Sequence, residues 1–449
     1  MQKHFLLLLS TLTAALASPY GHGGVKVDKH GHRKRCTVYA HGGNVSDVDN
    51  IVKAFDTCGH GGNIVFPEDQ NYFIASKLNP VVNDVQIDWR GIWTFSPDID
   101  YWRTNGNTYF IYFQNHRTNF ILTGDHITIN GHGTGGIEGN GDVWYTAEAG
   151  KVREGRPMPF VLWNVSDVVV NKFFVKQPPF WAFNIMNGTD MVIDELYTNA
   201  TATKAPYGVN WVPNTDGFDT MDARNITLRN FVYQGGDDCI AIKPRSYEIH
   251  VQNVTCRGGN GIAIGSLGQY LEDSSVENVT ISDVHNIRFN EDLGNAVYIK
   301  TWVGVLVNQS NYESAGQPRG AGTGVVRNVT FSNFFTEGSD AGPAITQDNG
   351  NNGSSTTGTS LMEVSNIEFR NFTGYLSGKS RRPNRTASIN SLPTLLAFDR
   401  QEAQLETRLT KIEDMKKREF LINWIETEAV RHGQGGAGGK GVLSGLFGR

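Results

Sequence analysis

Asp216, Asp237 and Asp238 are the residues of this chain whose types and spacing could do chemistry together. Asp216, Asp238 and Asn260 follow one another at steps of 22 residues, with Asp237 directly before Asp238. If the backbone makes one turn per step, these side chains lie on successive turns about 4.8 Å apart, the ordinary spacing of hydrogen-bonded strands. Three carboxylates then share a patch roughly 5 Å across. Like charges that close cannot all ionise near neutral pH, so at least one is expected to hold a proton. An acid and a base from one residue type are what glycoside hydrolysis requires. One carboxyl protonates the leaving oxygen while another activates water or attacks the sugar. Singly, each of these Asp, Gly or Asn residues reads as turn chemistry between strands; three stacked aspartates flanked by glycines do not. Clustered carboxylates could also hold calcium, but no loop has the alternating ligands of such a site, so neither metal nor other cofactor is expected.

Something must stack the turns. From about residue 118 to 375 the chain returns to one pattern, a short β-branched run with Asn or Gly at its ends, as in DVVVNKFF, RNITLRNF, IHVQNVTC and ENVTISDV. Helical periodicity is scarce there and short alternations are frequent, which predicts strands separated by tight turns. GFDT at Gly217, CIAI at Cys239 and GIAI at Gly261 recur at 22-residue steps, the period of a solenoid. A β-sandwich would account for strands but not for a fixed register. The expected fold is therefore all-β, a parallel β-helix, with Phe218, Ile240 and Ile262 stacked inside. Alternation puts Ile240 and Ile242 in the core and turns Ala241 and Lys243 outward.

The bulk numbers fit a β-rich folded chain: of 449 residues 51 are Gly, and charged residues make up only 19%. A net charge of -5 and the lack of a long basic stretch argue against nucleic acid as partner. A polyanionic ligand would need a few cations placed inside a cleft. Residues 1–17 carry a short basic start, an apolar run and Ala15-Leu16-Ala17, the pattern of a secretory signal peptide. No later segment has the roughly 20 apolar residues of a membrane span, so a secreted, extracellular chain without a membrane partner is expected. Residues 18–35 read as a propeptide or basic tail ending in the dibasic Lys34-Arg35. In an oxidising compartment the four cysteines are expected as disulfides, Cys36 with Cys58 and Cys239 with Cys256. About a dozen Asn-x-Ser/Thr sequons, among them Asn164, Asn225, Asn253, Asn278 and Asn328, would be solvent-facing glycan acceptors. The β-helix is expected over 36–385. Residues 386–449 break the pattern with a charged amphipathic helix and a Gly-rich tail, which read as foreign to the fold.

Four motifs carry a resemblance. NTDGFDT (Asn214 to Thr220), GGDDCIAIK (Gly235 to Lys243), CRGGNGIAIGSLG (Cys256 to Gly268) and NAVYIKTW (Asn295 to Trp302) are similar, in order and spacing, to the signatures of glycoside hydrolase family 28, the polygalacturonases. The likeness runs from about Cys36 to Gly378. It implies a right-handed β-helix and hydrolysis by inversion, with Asp237 as general acid and Asp216 and Asp238 holding the attacking water. Adjacent coils imply a carboxyl separation below the roughly 6.5–9.5 Å usual for inversion, so that outcome rests on the resemblance. Two departures are informative. Asn260 stands where many endo-acting members have His, and Tyr298-Ile299-Lys300 where they have Arg-x-Lys. With AIKPRS and GSLGQY, these departures resemble the fungal exopolygalacturonase branch, which removes galacturonic acid from the end of α-1,4-linked homogalacturonan. On that reading Lys300 pairs with a galacturonate carboxylate, Asn260 hydrogen-bonds, Tyr298 offers a ring to a sugar, and Lys243 and Arg245 supply positive charge at the terminal subsite. The partner is pectic polysaccharide and the chain acts as a monomer. The same scaffold leaves a rhamnogalacturonan hydrolase and a non-catalytic pectin-binding β-helix as alternatives. The family's usual last coils, which carry Cys, are missing.

Overall fold

In the computed structural model of the protein, residues 23–30, 33–108, 117–308, 318–351, 355–377 and 388–390 are described. The signal segment and, apart from 388–390, the charged and Gly-rich C-terminal segment lie outside the described residues. Among the described residues no helix is long and apolar enough to cross a membrane.

Short alternating runs separated by turns can satisfy their backbone groups only by pairing with the next turn of chain, and here they do so in parallel. The strands Val81–Trp89, Arg117–Asn130, Pro157–Asn171, Phe183–Asp194, Phe218–Gln234, Ser246–Arg257, Val276–Ile287, Thr323–Ser339 and Leu361–Leu376 pair with one another in chain order. A second ladder adds Asp238–Ile242, Gly261–Leu267, Val297–Trp302, Ala344–Asn349 and Ser388–Asn390. Residues 218–220 belong to this second ladder, because Phe218 and Thr220 pair with Ile240 and Ile242. The fold is the parallel β-helix that the 22-residue register predicts, right-handed as the family resemblance implies.

Identical positions stack inside it. Val85, Ile127, Val168, Met191, Ile226, Ile249, Val279 and Val329 form one buried column in register, and Phe160, Phe183, Phe218, Ile240, Ile262 and Val297 form another. The ring pairs Phe160–Phe183 and Phe183–Phe218 lie 5.3 and 5.8 Å apart, within the range of favourable aromatic contact. The corners explain the recurrent Asn and Asp. The residues preceding the first column, from Asp84 through Asp190, Asn225 and Asn278 to Asn328, have φ between 49° and 59°. Asn and Asp tolerate that left-handed conformation better than other side chains, because they hydrogen-bond locally. Amides then link the coils, as in Asn225 to Asp190 (2.6 Å) and Asn328 to Asn278 (3.0 Å). The sequon residues Asn164, Asn225, Asn253, Asn278 and Asn328 are exposed at such corners.

The N-terminal end is closed by the helix Val48–Cys58, which buries Val48, Ile51, Ala54 and Phe55. Both expected disulfides are present, Cys36–Cys58 tying this helix to the first strands and Cys239–Cys256 lying in the core. The boundaries differ from the reading at Cys36 and 385. Gly24–His30 forms an antiparallel hairpin with Arg33–Tyr39, which pairs in turn with Asn63–Phe66, so Lys34 and Arg35 sit within a strand of the sheet. At the other end Ser388–Asn390 continues the second ladder.

Candidate active site

The second ladder places the aspartates. Its outward column runs Asn184, Asp219, Ala241, Ala263, Tyr298 and Ala344 in register. Strict alternation would give Asp238 the same direction as Ile240 and Ile242, into the core. A register shift between Asp238 and Ile240 inserts Cys239 as an extra residue. This bulge changes the parity, so Cys239 turns in to its disulfide while Asp238 turns out, the re-aiming for which bulges beside active sites are used. One carboxylate oxygen from each of Asp216, Asp237 and Asp238 then lies within 4.8 Å of the others.

Each aspartate has its own surroundings. Asp237 is half-buried. Its Oδ2 accepts from the Asn214 backbone N–H at 2.8 Å, and its Oδ1 from the Asp238 N–H at 2.9 Å and the Asn260 amide at 3.1 Å. Burial, and next the charge of Asp238, push its pKa above the usual carboxylate range although Lys300 and the two backbone N–H donors pull the other way. The Tyr233 hydroxyl clamps its backbone, accepting from the Asp237 N–H and donating to the Asp237 carbonyl, both at 3.0 Å. Asp238 is buried, with Oδ1 accepting from the Tyr298 hydroxyl and Oδ2 from the Lys300 ammonium at 3.0 Å. Asp216 is 3% exposed and its Oδ2 accepts from the Lys243 ammonium at 3.2 Å. Burial above all, then Asp219, raises its pKa well above the ordinary value, with Lys243 opposing.

Several expected binding residues are elsewhere engaged. Lys243 does not face solvent: it is 5% exposed, lies beneath the aspartates on Asp216, and is 3.8 Å from Asp219, with the Trp181 ring 3.9 Å away on another side. Arg245 chelates Asp222 with Nε and Nη2 and donates to the Asp273 carbonyl at 2.7 Å, a corner brace rather than a free cation. Tyr298 is buried and offers its hydroxyl to Asp238 in place of an open ring. The small side chains of Ala241 and Ala263 leave the space across which that hydroxyl reaches. Lys300 stays at the cleft, a fifth of its side chain exposed, bonded to both Asp238 and the Tyr298 hydroxyl at 2.9 Å. Burial disfavours its ammonium, but Asp238, Asp237 and Asp216 outweigh this and raise its pKa. Asn260 is spent on Asp237.

Asp219 was missed, although NTDGFDT contains it and alternation from the inward Phe218 would have turned it toward the aspartates. It is buried, and among the described residues neither oxygen accepts a hydrogen bond. Burial pushes its pKa up to about 7 from 3.8, Lys243 opposing. Between those values the folded chain binds a proton on Asp219 that the unfolded chain has lost, so this group's contribution to stability is fullest below pH 3.8 and is lost as pH rises through about 7. Each proton so held contributes at most about 1.4 kcal/mol per pH unit. Denaturant midpoints measured across this range are expected to fall toward neutrality, and Asp219→Asn should flatten the trend.

Gly259 is required where it is. Its φ is +70°, and a Cβ there would come 2.0 Å from the Asp237 carbonyl oxygen. Gly259→Ala is expected to displace Asp237 and lower turnover at least about tenfold, with an unchanged KM in initial-rate measurements.

Comparison with known proteins agrees with this geometry. The model of Glycosyl hydrolases family 28 matches residues 62–383, more than half of the chain. An Aspergillus niger protein named as galacturan 1,4-alpha-galacturonidase C is 62% identical over 376 residues, covering 84% of this chain and 87% of the relative. An exopolygalacturonase of Cochliobolus carbonum is 34% identical, covering 70% of this chain and 68% of its own. Among solved structures, the endo-xylogalacturonan hydrolase from Aspergillus tubingensis superposes with a TM-score of 0.68 at 26% identity over 80% of this chain and 88% of that one. From the aspartate cluster, the coil register and these matches, the chain belongs to glycosyl hydrolases family 28.

Proposed function

We propose that the protein is a secreted, exo-acting polygalacturonase that hydrolyses α-1,4-galacturonosyl linkages from the end of pectic homogalacturonan. The observation that carries this reading is the outward cluster of Asp216, Asp237 and Asp238, in which the half-buried Asp237 has its pKa raised by burial and by Asp238. Asp237, whose carboxyl holds its proton more firmly than an ordinary aspartate, gives that proton to the glycosidic oxygen. Asp216 and Asp238 hold the attacking water and take its proton. Tyr298 and Lys300 fix Asp238 in place, and the Lys300 ammonium also attracts the terminal galacturonate carboxylate. Two ammonium groups on the cluster suit a bound acidic sugar and proton chemistry better than a further dication. The relatives named as galacturan 1,4-alpha-galacturonidase and exopolygalacturonase support the exo mode. The two disulfides suit an oxidising route and hence secretion.

Inversion comes from the family likeness, since atoms within 4.8 Å of one another are closer than the usual inverting separation. Proton NMR of the first product decides it: the β anomer is expected. A time course on polygalacturonate should release galacturonic acid alone from the start. Rhamnose-containing products from rhamnogalacturonan would assign the chain to that substrate, a rise in ultraviolet absorbance would indicate a lyase, and binding without reducing-sugar release would leave only the pectin-binding role.

A further inference from the structure

A lysine buried against carboxylates, in a site that already has Lys300, is an expensive feature. Lys243 is held on three sides: Asp216 Oδ2 at 3.2 Å, Asp219 Oδ1 at 3.8 Å and the Trp181 ring at 3.9 Å. The titratable groups that act on it are Asp219 and Asp216 from the preceding coil, Asp238 from its own strand and Lys300 from two coils on. Its ammonium is within reach of two protein carboxylates, so its charge acts on the protein's own acids.

Consider the pair without it. Asp216 and Asp219 are both buried, and a buried carboxyl keeps its proton. A protonated Asp216 cannot accept a proton from water. One ammonium retains about one negative charge on the pair, because it would otherwise be an uncompensated buried cation. Burial and Asp219 push Asp216 toward its proton while Lys243 opposes them, and the contacts decide which of the two acids Lys243 favours. Asp216 receives a hydrogen bond, whereas Asp219 lies beyond hydrogen-bond reach of Lys243 and neither of its oxygens accepts one among the described residues.

We propose that Lys243 is a positioning residue that holds the negative charge of the Asp216–Asp219 pair on Asp216, so that Asp216 is ready as a base while Asp219 carries the proton. This rests on the reading of Asp216 as one of the two carboxylates that deprotonate water. The 27-residue separation of Lys243 and Asp216 is one coil plus five residues, so their contact is set by the register of the two ladders.

The test is the pH profile of kcat/KM on polygalacturonate for the full chain. Lys243→Met should move the acid limb upward by about one pH unit or more, an approximately tenfold loss at a pH on the limb, with KM little changed. Lys243→Arg should restore most of the wild-type profile, since it restores the charge. Asp219→Asn should leave the acid limb where it was, because the charge already sits on Asp216. A limb that moves downward in Asp219→Asn would mean that Asp219 holds the charge, and would overturn the proposal. So would a loss in Lys243→Met that is equal at every pH. Should Lys243→Met not fold by circular dichroism, Lys243→Gln, which keeps a donor for Asp216 without the charge, gives the same discrimination. Either overturning result, with wild-type chain still releasing galacturonic acid and Asp237→Asn inactive, removes this inference alone. No hydrolysis by wild-type chain removes the functional reading and this inference with it.

Discussion

Asp237→Asn is expected to lower kcat by roughly a hundred- to ten-thousand-fold, the range over which a positioned general acid contributes. The amide has the shape of the carboxyl but no proton to give. Its oxygen can still accept from either the Asn214 N–H or the pair formed by the Asp238 N–H and Asn260, while its NH2 meets a donor on the other side. The stability cost is then about one hydrogen bond, of the order of 1 kcal/mol, and the removal of a burial-raised acid offsets part of it. Initial rates on polygalacturonate, calorimetric binding of a galacturonate oligomer and a thermal melt separate the effects. Lost turnover with retained binding and folding is the expected result; turnover within a few-fold of wild type would exclude Asp237 as the acid.

Lys300→Ala is expected to reduce kcat as well as affinity, by more than the loss of one substrate contact. On the family resemblance Lys300 reads as a partner for a galacturonate carboxylate, whose loss would mainly raise KM. In the folded chain its ammonium already lies 3.0 Å from Asp238 Oδ2, with Asp238 buried behind it. Removing one member of such a pair leaves a buried charge with less compensation, at a cost of about 3 kcal/mol; the Tyr298 hydroxyl keeps it at the lower end. Asp238 is then no longer fixed by the ammonium and loses its capacity to hold and deprotonate water. The measurement compares kcat and KM on a galacturonate oligomer and on its methyl ester, together with a denaturation midpoint. A fall in kcat on both substrates with a lowered midpoint supports the double role. An effect confined to KM and absent from the ester would return Lys300 to substrate binding alone.

These two expectations differ in how much of them could be read before folding. Asp237 was legible because it neighbours Asp238, which lies one repeat from Asp216, and a solenoid makes repeat spacing equivalent to proximity. The Tyr298–Asp238 contact was not, because the two are 60 residues apart with loops of unequal length between them. Nor was the burial of Lys243 and Tyr298, since alternation gives the direction of a side chain and not what covers it. Trp181 and the preceding coil cover Lys243, and the alanine column admits Tyr298. Arg245 is an intermediate case: its brace to Asp222 follows the coil register at 23 residues, but only a chain already known to bend at left-handed corners would show it.

By itself, then, the order of residues determined the coil period, the stacked apolar columns, the pairing of the four cysteines and the meeting of three acidic side chains, all of which depend on spacing along the chain. Tertiary structure decided which way Asp238 points, through one extra residue at Cys239, and which cations are spent on protein carboxylates. The physical reason is that spacing is a local property conserved from coil to coil, whereas ionisation depends on burial and on charges brought from other coils, within a few ångströms of the group that titrates.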